Sequence, residues 1–207
     1  MAVRVNPQRR RLAAAAALLL AGCDKLPGVG GSRPAFKATD ITGAEYARTL
    51  SLPDADGRMR TLADFKGKVT LVFFGYTQCP DVCPSTLSEL AAVKRALGPD
   101  GDRLQGVFVS VDPPRDTPQV LREYMRSFDP SFVALTGSPE QIKQTAKEFK
   151  VFYAVSPGRT EGSYTVDHTA GTYVFDAQGR VRLFVRYGAG QEALLHDLKL
   201  LLAEDPA

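Results

Sequence analysis

The apolar positions of the chain follow two rhythms, and the alternation between them lays out a mixed α/β domain. Residues 69–74 (Val-Thr-Leu-Val-Phe-Phe) form an almost unbroken apolar run, which predicts a central strand covered on both faces. A similar run at 107–111 (Val-Phe-Val-Ser-Val) predicts a second strand. Between them, residues 85–97 place Leu87, Leu90, Ala91 and Leu97 at helical intervals and stop at Gly98, the pattern of an amphipathic helix closed by glycine. Thr117-Pro118 and Ser138-Pro139 each put a capping hydroxyl before a first-turn proline. Helices are therefore expected over 117–128 and 138–149, with a short strand at 132–135 between them.

The last third changes style. Residues 172–175 and 181–187 flank Asp176-Ala177-Gln178-Gly179, which predicts an antiparallel hairpin. A final helix from Gln191 then carries Leu194, Leu195, Leu198, Leu201 and Leu202 on one stripe. Near the other end, 49–52 and 58–62 flank Asp54-Ala55-Asp56-Gly57, where aspartate and glycine supply the turn chemistry of another hairpin. A βαβ beginning joined to a ββα ending is a thioredoxin-like α/β plan with an added N-terminal β-hairpin. Crossover handedness predicts that the strand ends near Cys79 and His168 meet at one edge of the sheet.

Composition adds an address. The 207 residues are 44% hydrophobic, enough for the core of one ordinary domain. The formal charge of +3 is misleading, because Arg4, Arg9, Arg10 and Arg11 crowd the first residues; without those four, the 26 basic residues fall one short of the 23 acidic ones. Nothing in that balance suggests a nucleic-acid surface. The basic start, the apolar stretch 12–21 and the sequence Leu20-Ala21-Gly22-Cys23 resemble a bacterial lipoprotein signal, with Cys23 lipidated once residues 1–22 are removed. The apolar stretch is shorter than the ~20 residues a membrane-spanning helix needs. Residues 23–34 are rich in Gly and Pro without apolar periodicity and read as a flexible tether. The domain proper is expected at 35–207, held by its lipid anchor on the extracytoplasmic side of a bacterial cell membrane. A plain secretory signal with an incidental cysteine is the weaker reading. Lipidation of Cys23 leaves Cys79 and Cys83 as the one remaining pair, with no odd thiol in an oxidising compartment.

The chemistry concentrates in Tyr76-Thr77-Gln78-Cys79-Pro80-Asp81-Val82-Cys83-Pro84, two thiols four residues apart between a strand and a helix. A helix start biases a cysteine toward thiolate, the form that attacks disulfides and binds metals. The pair is a redox couple, a metal clamp or both; a purely structural disulfide gains little from so short a loop. Two thiolates under-coordinate a metal, and histidine is its commonest further ligand. Of the two histidines, His196 lies off the leucine stripe of a surface helix, whereas His168 precedes the run Tyr173-Val174-Phe175 and is the candidate. Tyr76 is placed to wall the site. Asp167 either orients His168 or ends a turn, Asp112 sits at a strand end before a loop, and Asp81 is expected to face water.

Tyr76-Thr77-x-Cys79-Pro80-Asp81-Val82-Cys83-Pro84, followed by Val109-Ser110-Val111-Asp112-Pro113 with Arg115-Asp116-Thr117, and then Asp167-His168-Thr169, resemble the Sco/SenC family of copper-binding assembly proteins, in lipoprotein form. The likeness runs in order from about Ala35 to about Leu202. It implies a thioredoxin-like fold, a copper site made by Cys79, Cys83 and His168, and a part in building the binuclear copper centre of cytochrome c oxidase. Oxidase subunit II and other copper-assembly proteins are then the implied partners of a monomer. Thiolates suit Cu(I), and the imidazole makes Cu(II) tolerable as well.

The alternative is a membrane-anchored thiol-disulfide oxidoreductase acting on oxidase subunit II or other exported proteins, in which Cys79 attacks and Cys83 resolves. The three residues between the cysteines, and the absence of proline from Thr169-Ala170-Gly171, argue against an ordinary thioredoxin. A peroxidase of peroxiredoxin type lacks an obvious arginine beside the attacking cysteine.

Overall fold

The computed structural model describes residues 35–204; the expected leader 1–22, Cys23 and the tether 23–34 lie outside the described residues. Ten strands appear in chain order: β1 (Thr39–Asp40), β2 (Ser51–Pro53), β3 (Met59–Thr61), β4 (Val69–Gly75), β5 (Leu104–Ser110), β6 (Val133–Leu135), β7 (Tyr153–Pro157), β8 (Tyr164–His168), β9 (Gly171–Phe175) and β10 (Val181–Arg186). Four α-helices accompany them: α1 (Val82–Ala96), α2 (Pro118–Arg126), α3 (Pro139–Glu148) and α4 (Gln191–Glu204). Among the described residues, no helix is long and apolar enough to cross a membrane.

Six strands form one mixed sheet in the order β1-β10-β9-β4-β5-β6. β4 runs parallel to β5 and antiparallel to β9. All seven residues of β4 are buried, and the period-two alternation of a strand sends them into two cores. Val69, Leu71 and Phe73 join Leu87 and Leu90 of α1 and Leu194 and Leu198 of α4. Val72 and Phe74 join Ile142 and Ala146 of α3 with Leu62 and Phe65. Each such phenylalanine contributes about 1.5–3 kcal/mol by burial, so the central strand is fixed in register by both layers.

Local chemistry sets the helix starts. Thr117 Oγ1 accepts the Val120 N–H at 3.3 Å, and Ser138 forms a capping box with Gln141. The 51–53 and 59–61 strands pair as a short antiparallel ribbon around Asp54, whose carboxylate accepts the Asp56 and Arg58 N–H groups, each at 2.9 Å. The first α-helix starts at Val82 rather than at residue 85, so Cys83 is already helical.

One element departs from the sequence reading. His168 does not open the strand of Tyr173; it ends β8, which pairs only with β7 in a two-stranded ribbon outside the main sheet. Period-two apolar alternation is weak in Tyr153-Ala154-Val155-Ser156-Pro157, and that is why the ribbon was not legible. The meeting of the thiols with His168 also has a simpler cause than crossover handedness. Phe73 of β4 pairs with Thr172 of β9 in antiparallel register, so the segment leaving β4 and the segment entering β9 share an edge.

Candidate metal centre

Cys79 follows β4 in a turn closed by its own N–H donating to the Tyr76 carbonyl at 3.2 Å. Cys83 occupies the first turn of α1 and is fully buried, while Cys79 is partly exposed. His168 enters from the end of β8, with its Nε2 3.4 Å from Cys83 Sγ. The two sulfurs and a ring nitrogen of His168 all lie within 4.8 Å of one another. The structure thus brings together the three residues that the sequence singled out, and their soft-sulfur and imidazole donors suit copper or zinc.

Packing shapes this cluster closely. The Tyr76 and Phe73 rings meet His168 edge-on, at centroid distances of 6.1 and 5.9 Å. Tyr76 is buried and walls the site. Behind Cys83 stands Gly75: a Cβ at that position would lie 2.6 Å from Cys83 Sγ and 2.9 Å from the Phe108 ring. Glycine there is a space requirement, not a backbone one, because nothing in its conformation is left-handed. The Tyr124 hydroxyl is buried on the same side, with no hydrogen-bond partner.

Burial also governs the protons. It pushes the Cys83 thiol well above the ordinary thiol value, reinforced by neighbouring Cys79 and Asp116 and only partly opposed by the Tyr76 N–H. At Cys83 this corrects the expected bias of a helix-start cysteine toward thiolate, because desolvation outweighs the helix dipole. Burial lowers the His168 pKa, against smaller opposing effects of the Thr169 carbonyl and Asp167. Buried Cys83 and partly buried His168 are therefore both neutral near pH 7 in the free protein.

The other candidates separate. Asp81 is exposed, as expected. Asp167 points away from the imidazole and accepts from Ser156 Oγ at 2.7 Å, while the Thr169 carbonyl meets His168 Nδ1 at 3.2 Å. His196 is far from the cysteines along the chain and pairs with Asp197 at 2.8 Å. Asp112 is buried beside the site, accepting from the Tyr164 hydroxyl at 2.7 Å and pairing with Arg115. Sequence reasoning passed over Arg115 and Asp116. Arg115 reaches the cysteine loop, but its charge is already matched by Asp112. Both residues belong to the quoted family motif, and the signal they offered was two opposite charges flanked by prolines and threonine in an otherwise apolar surrounding.

A thioredoxin-like domain with a Cys-Cys-His cluster at the rim of its sheet defines a copper- or thiol-handling class. Within it, the chain belongs to the SCO1/SenC family, whose model matches residues 38–203. An SCO2-like protein of Rickettsia prowazekii is 40% identical over 132 residues, covering 63% of this chain and 64% of the relative. The chain thus spans slightly under two thirds of that relative's length. Among solved structures, Bradyrhizobium japonicum ScoI with copper bound is 42% identical, covering 73% of this chain and 96% of its own, with a TM-score of 0.66. Apo Sco1 from Thermus thermophilus is 40% identical, covering 84% and 100% respectively, with a TM-score of 0.73.

Proposed function

We propose that this protein carries copper to the copper centre of cytochrome c oxidase, with oxidase subunit II as the receiving partner and a lipid anchor on Cys23 holding it, as a monomer, outside the cytoplasmic membrane. Cys79, Cys83 and His168 hold the ion. The observation that carries the reading is the convergence of these three donors within 4.8 Å in a chain whose relative ScoI was solved with copper bound.

The chemistry follows from the donors. Copper enters as its thiol ligands release their protons. Two thiolates and a neutral imidazole make an uncharged site around Cu(II) and a singly negative one around Cu(I). Partial exposure of Cys79 leaves one side open for an incoming ligand, so an acceptor thiolate or imidazole can replace the donors stepwise. Tyr76, Phe73 and Gly75 restrict the space around His168 and Cys83 and keep the inner donors fixed during that exchange.

The exposure difference also favours a second reading, thiol-disulfide exchange. Cys79 as thiolate attacks a partner disulfide, the partner's leaving thiolate takes a proton, and Cys83 then displaces the partner's second sulfur. Two electrons pass to the partner, and Cys79 and Cys83 end as a disulfide. Exchange needs only the thiols, whereas copper transfer also needs His168. His168→Ala is therefore expected to keep most of its exchange with a small disulfide while failing to support oxidase assembly in cells at low copper. Oxidase activity equal to wild type in that strain defeats the copper reading and leaves exchange as the function.

A further inference from the structure

His168 lies on a ribbon that shares no ladder with the main sheet; the β4–β9 pairing brings its end near the thiols, and the contacts of the ribbon itself set how His168 faces them. At its own end the ribbon closes on itself, with the Thr169 N–H donating to the Phe152 carbonyl at 2.9 Å. The opposite end is gripped by a segment that offers no candidate ligand. Arg115 Nη1 donates to the Tyr164 carbonyl at 2.9 Å, and its guanidinium lies 3.5 Å over the Tyr164 ring. Asp112 accepts from the Tyr164 hydroxyl at 2.7 Å and pairs with Arg115 Nε.

The same segment grips the cysteine loop. Arg115 Nη1 also donates to Gln78 Oε1 at 3.1 Å, one residue before Cys79. Asp116, 1% exposed, accepts from the Thr77 N–H at 3.1 Å, the Thr77 hydroxyl at 2.6 Å and the Ser110 hydroxyl at 2.6 Å. One short loop after β5 therefore holds both arms of the centre. Only a planar fork with several donors can serve the Asp112 carboxylate, the Tyr164 carbonyl and the Gln78 amide together.

We infer that Arg115 is a positioning residue that ties the His168 ribbon to the Cys79 loop and so decides whether a bound copper ion has three ligands or the two thiolates alone. The inference rests on the copper reading above. A merely structural Arg115 would lower stability without changing the ligand set. A positioning Arg115 changes the ligand set in a protein that is still folded, because its partners' effect on a metal is exerted through ligand orientation.

The test uses the purified full chain with histidine labelled in 15N, loaded with Cu(II) for electron paramagnetic resonance and titrated with Cu(I) against a competing chelator. Arg115→Met keeps the aliphatic stem and removes the fork. It should lose the histidine nitrogen coupling, keep the thiolate-to-copper absorption band and bind Cu(I) about 10–100-fold more weakly. Arg115→Lys should recover part of the coupling, and Tyr164→Phe should shift it less, in the same direction. Wild-type coupling and affinity in folded Arg115→Met overturn the inference, as does equal loss of the nitrogen and thiolate signals. If Arg115→Met does not fold, wild-type coupling and affinity in both Tyr164→Phe and Gln78→Ala overturn it instead. Wild type lacking any histidine coupling overturns the three-ligand reading itself and the inference with it.

Discussion

Gly75 and Cys83 meet so closely that one residue's missing side chain is the other's space: a Cβ on Gly75 would lie 2.6 Å from Cys83 Sγ. The sulfur cannot retreat far, because Cys83 is fully buried and His168 Nε2 stands 3.4 Å from it. Gly75→Ala should therefore displace the sulfur and cost about 1–3 kcal/mol by overpacking. Copper binding should weaken along with it. Thermal unfolding and copper titration of Gly75→Ala check this; an unchanged affinity would show that the site can relax around a methyl group.

The two cysteines should differ in reach. Cys79 is partly exposed and Cys83 is not, and burial holds the Cys83 thiol protonated. Because only the thiolate attacks, a small alkylating reagent should modify Cys79 first and Cys83 only after unfolding. Mass mapping of a partial alkylation decides it, and equal labelling of both residues in the folded protein would reject the assignment of Cys79 as the entry thiol. Copper bound beforehand should protect both.

How much of this was legible depends on where the information lay. The strand at 69–74 and the capped helices announced themselves, because burial on two faces and first-turn proline are local in sequence. The cysteine pair announced itself through its place between strand and helix. The His168 ribbon did not, because β7 and β8 form a hairpin, from Tyr153–His168 to Pro157–Tyr164, that buries little apolar surface: Val155 on it and Phe152 just before it remain exposed. Nor did the weak acidity of the Cys83 thiol: a helix start argued for thiolate there, but the depth that reverses this comes from Gly75, Phe108 and Tyr76, which lie in other elements. Arg115 and Asp116 were visible only as a motif, since their partners Tyr164, Gln78 and Thr77 are up to 49 residues away.

Loss of Asp116 should be felt by the whole cysteine loop. Asp116→Ala strands the Ser110 and Thr77 hydroxyls and the Thr77 N–H, each of which donates to that carboxylate. Leaving the buried Ser110 hydroxyl unpaired costs about 1–3 kcal/mol before relaxation, and the partly exposed Thr77 donors, which water can reach, cost less. Asp116→Asn keeps an acceptor oxygen and removes a charge whose burial raises the carboxyl pKa, so it should be much milder. Denaturant unfolding of both variants gives the comparison, and equal stability of the two would count against the network.

The anchor is tested separately, on the sequence alone. Leu20-Ala21-Gly22-Cys23 after a basic, apolar leader predicts that Cys23→Ser leaves the chain unlipidated and, once exported, released from the membrane. A single acyl chain gives only weak, reversible binding, so the mature Cys23 should carry more than one, a mass that intact-protein spectrometry reads directly. Membrane retention of Cys23→Ser at the wild-type level would reject the lipoprotein assignment.

Copper affinity should rise with pH, and the direction follows from two protons. Burial keeps the Cys83 thiol protonated in the free protein, so copper must displace that proton, and each displaced proton adds about one decade of apparent affinity per pH unit. Burial shifts His168 the other way, so it stays neutral and ready to ligate below its ordinary value of about 6.5. Competition by His168 protonation should then appear only on the acid side of that value. The stability of the copper-free protein carries the opposite sign. A folded pKa raised above the unfolded one gives stability that is complete below the unfolded thiol value of about 8.5 and is lost as pH rises through the folded value. Copper-free protein should therefore become less stable in mild alkali while the copper-loaded form does not, since its thiolates are already deprotonated. Copper titrations with proton-release measurements between about pH 6 and about pH 8.5, with melting curves of both forms, check the signs. An affinity flat across that range would mean that Cys83 is not a ligand, or that it is already a thiolate before copper arrives.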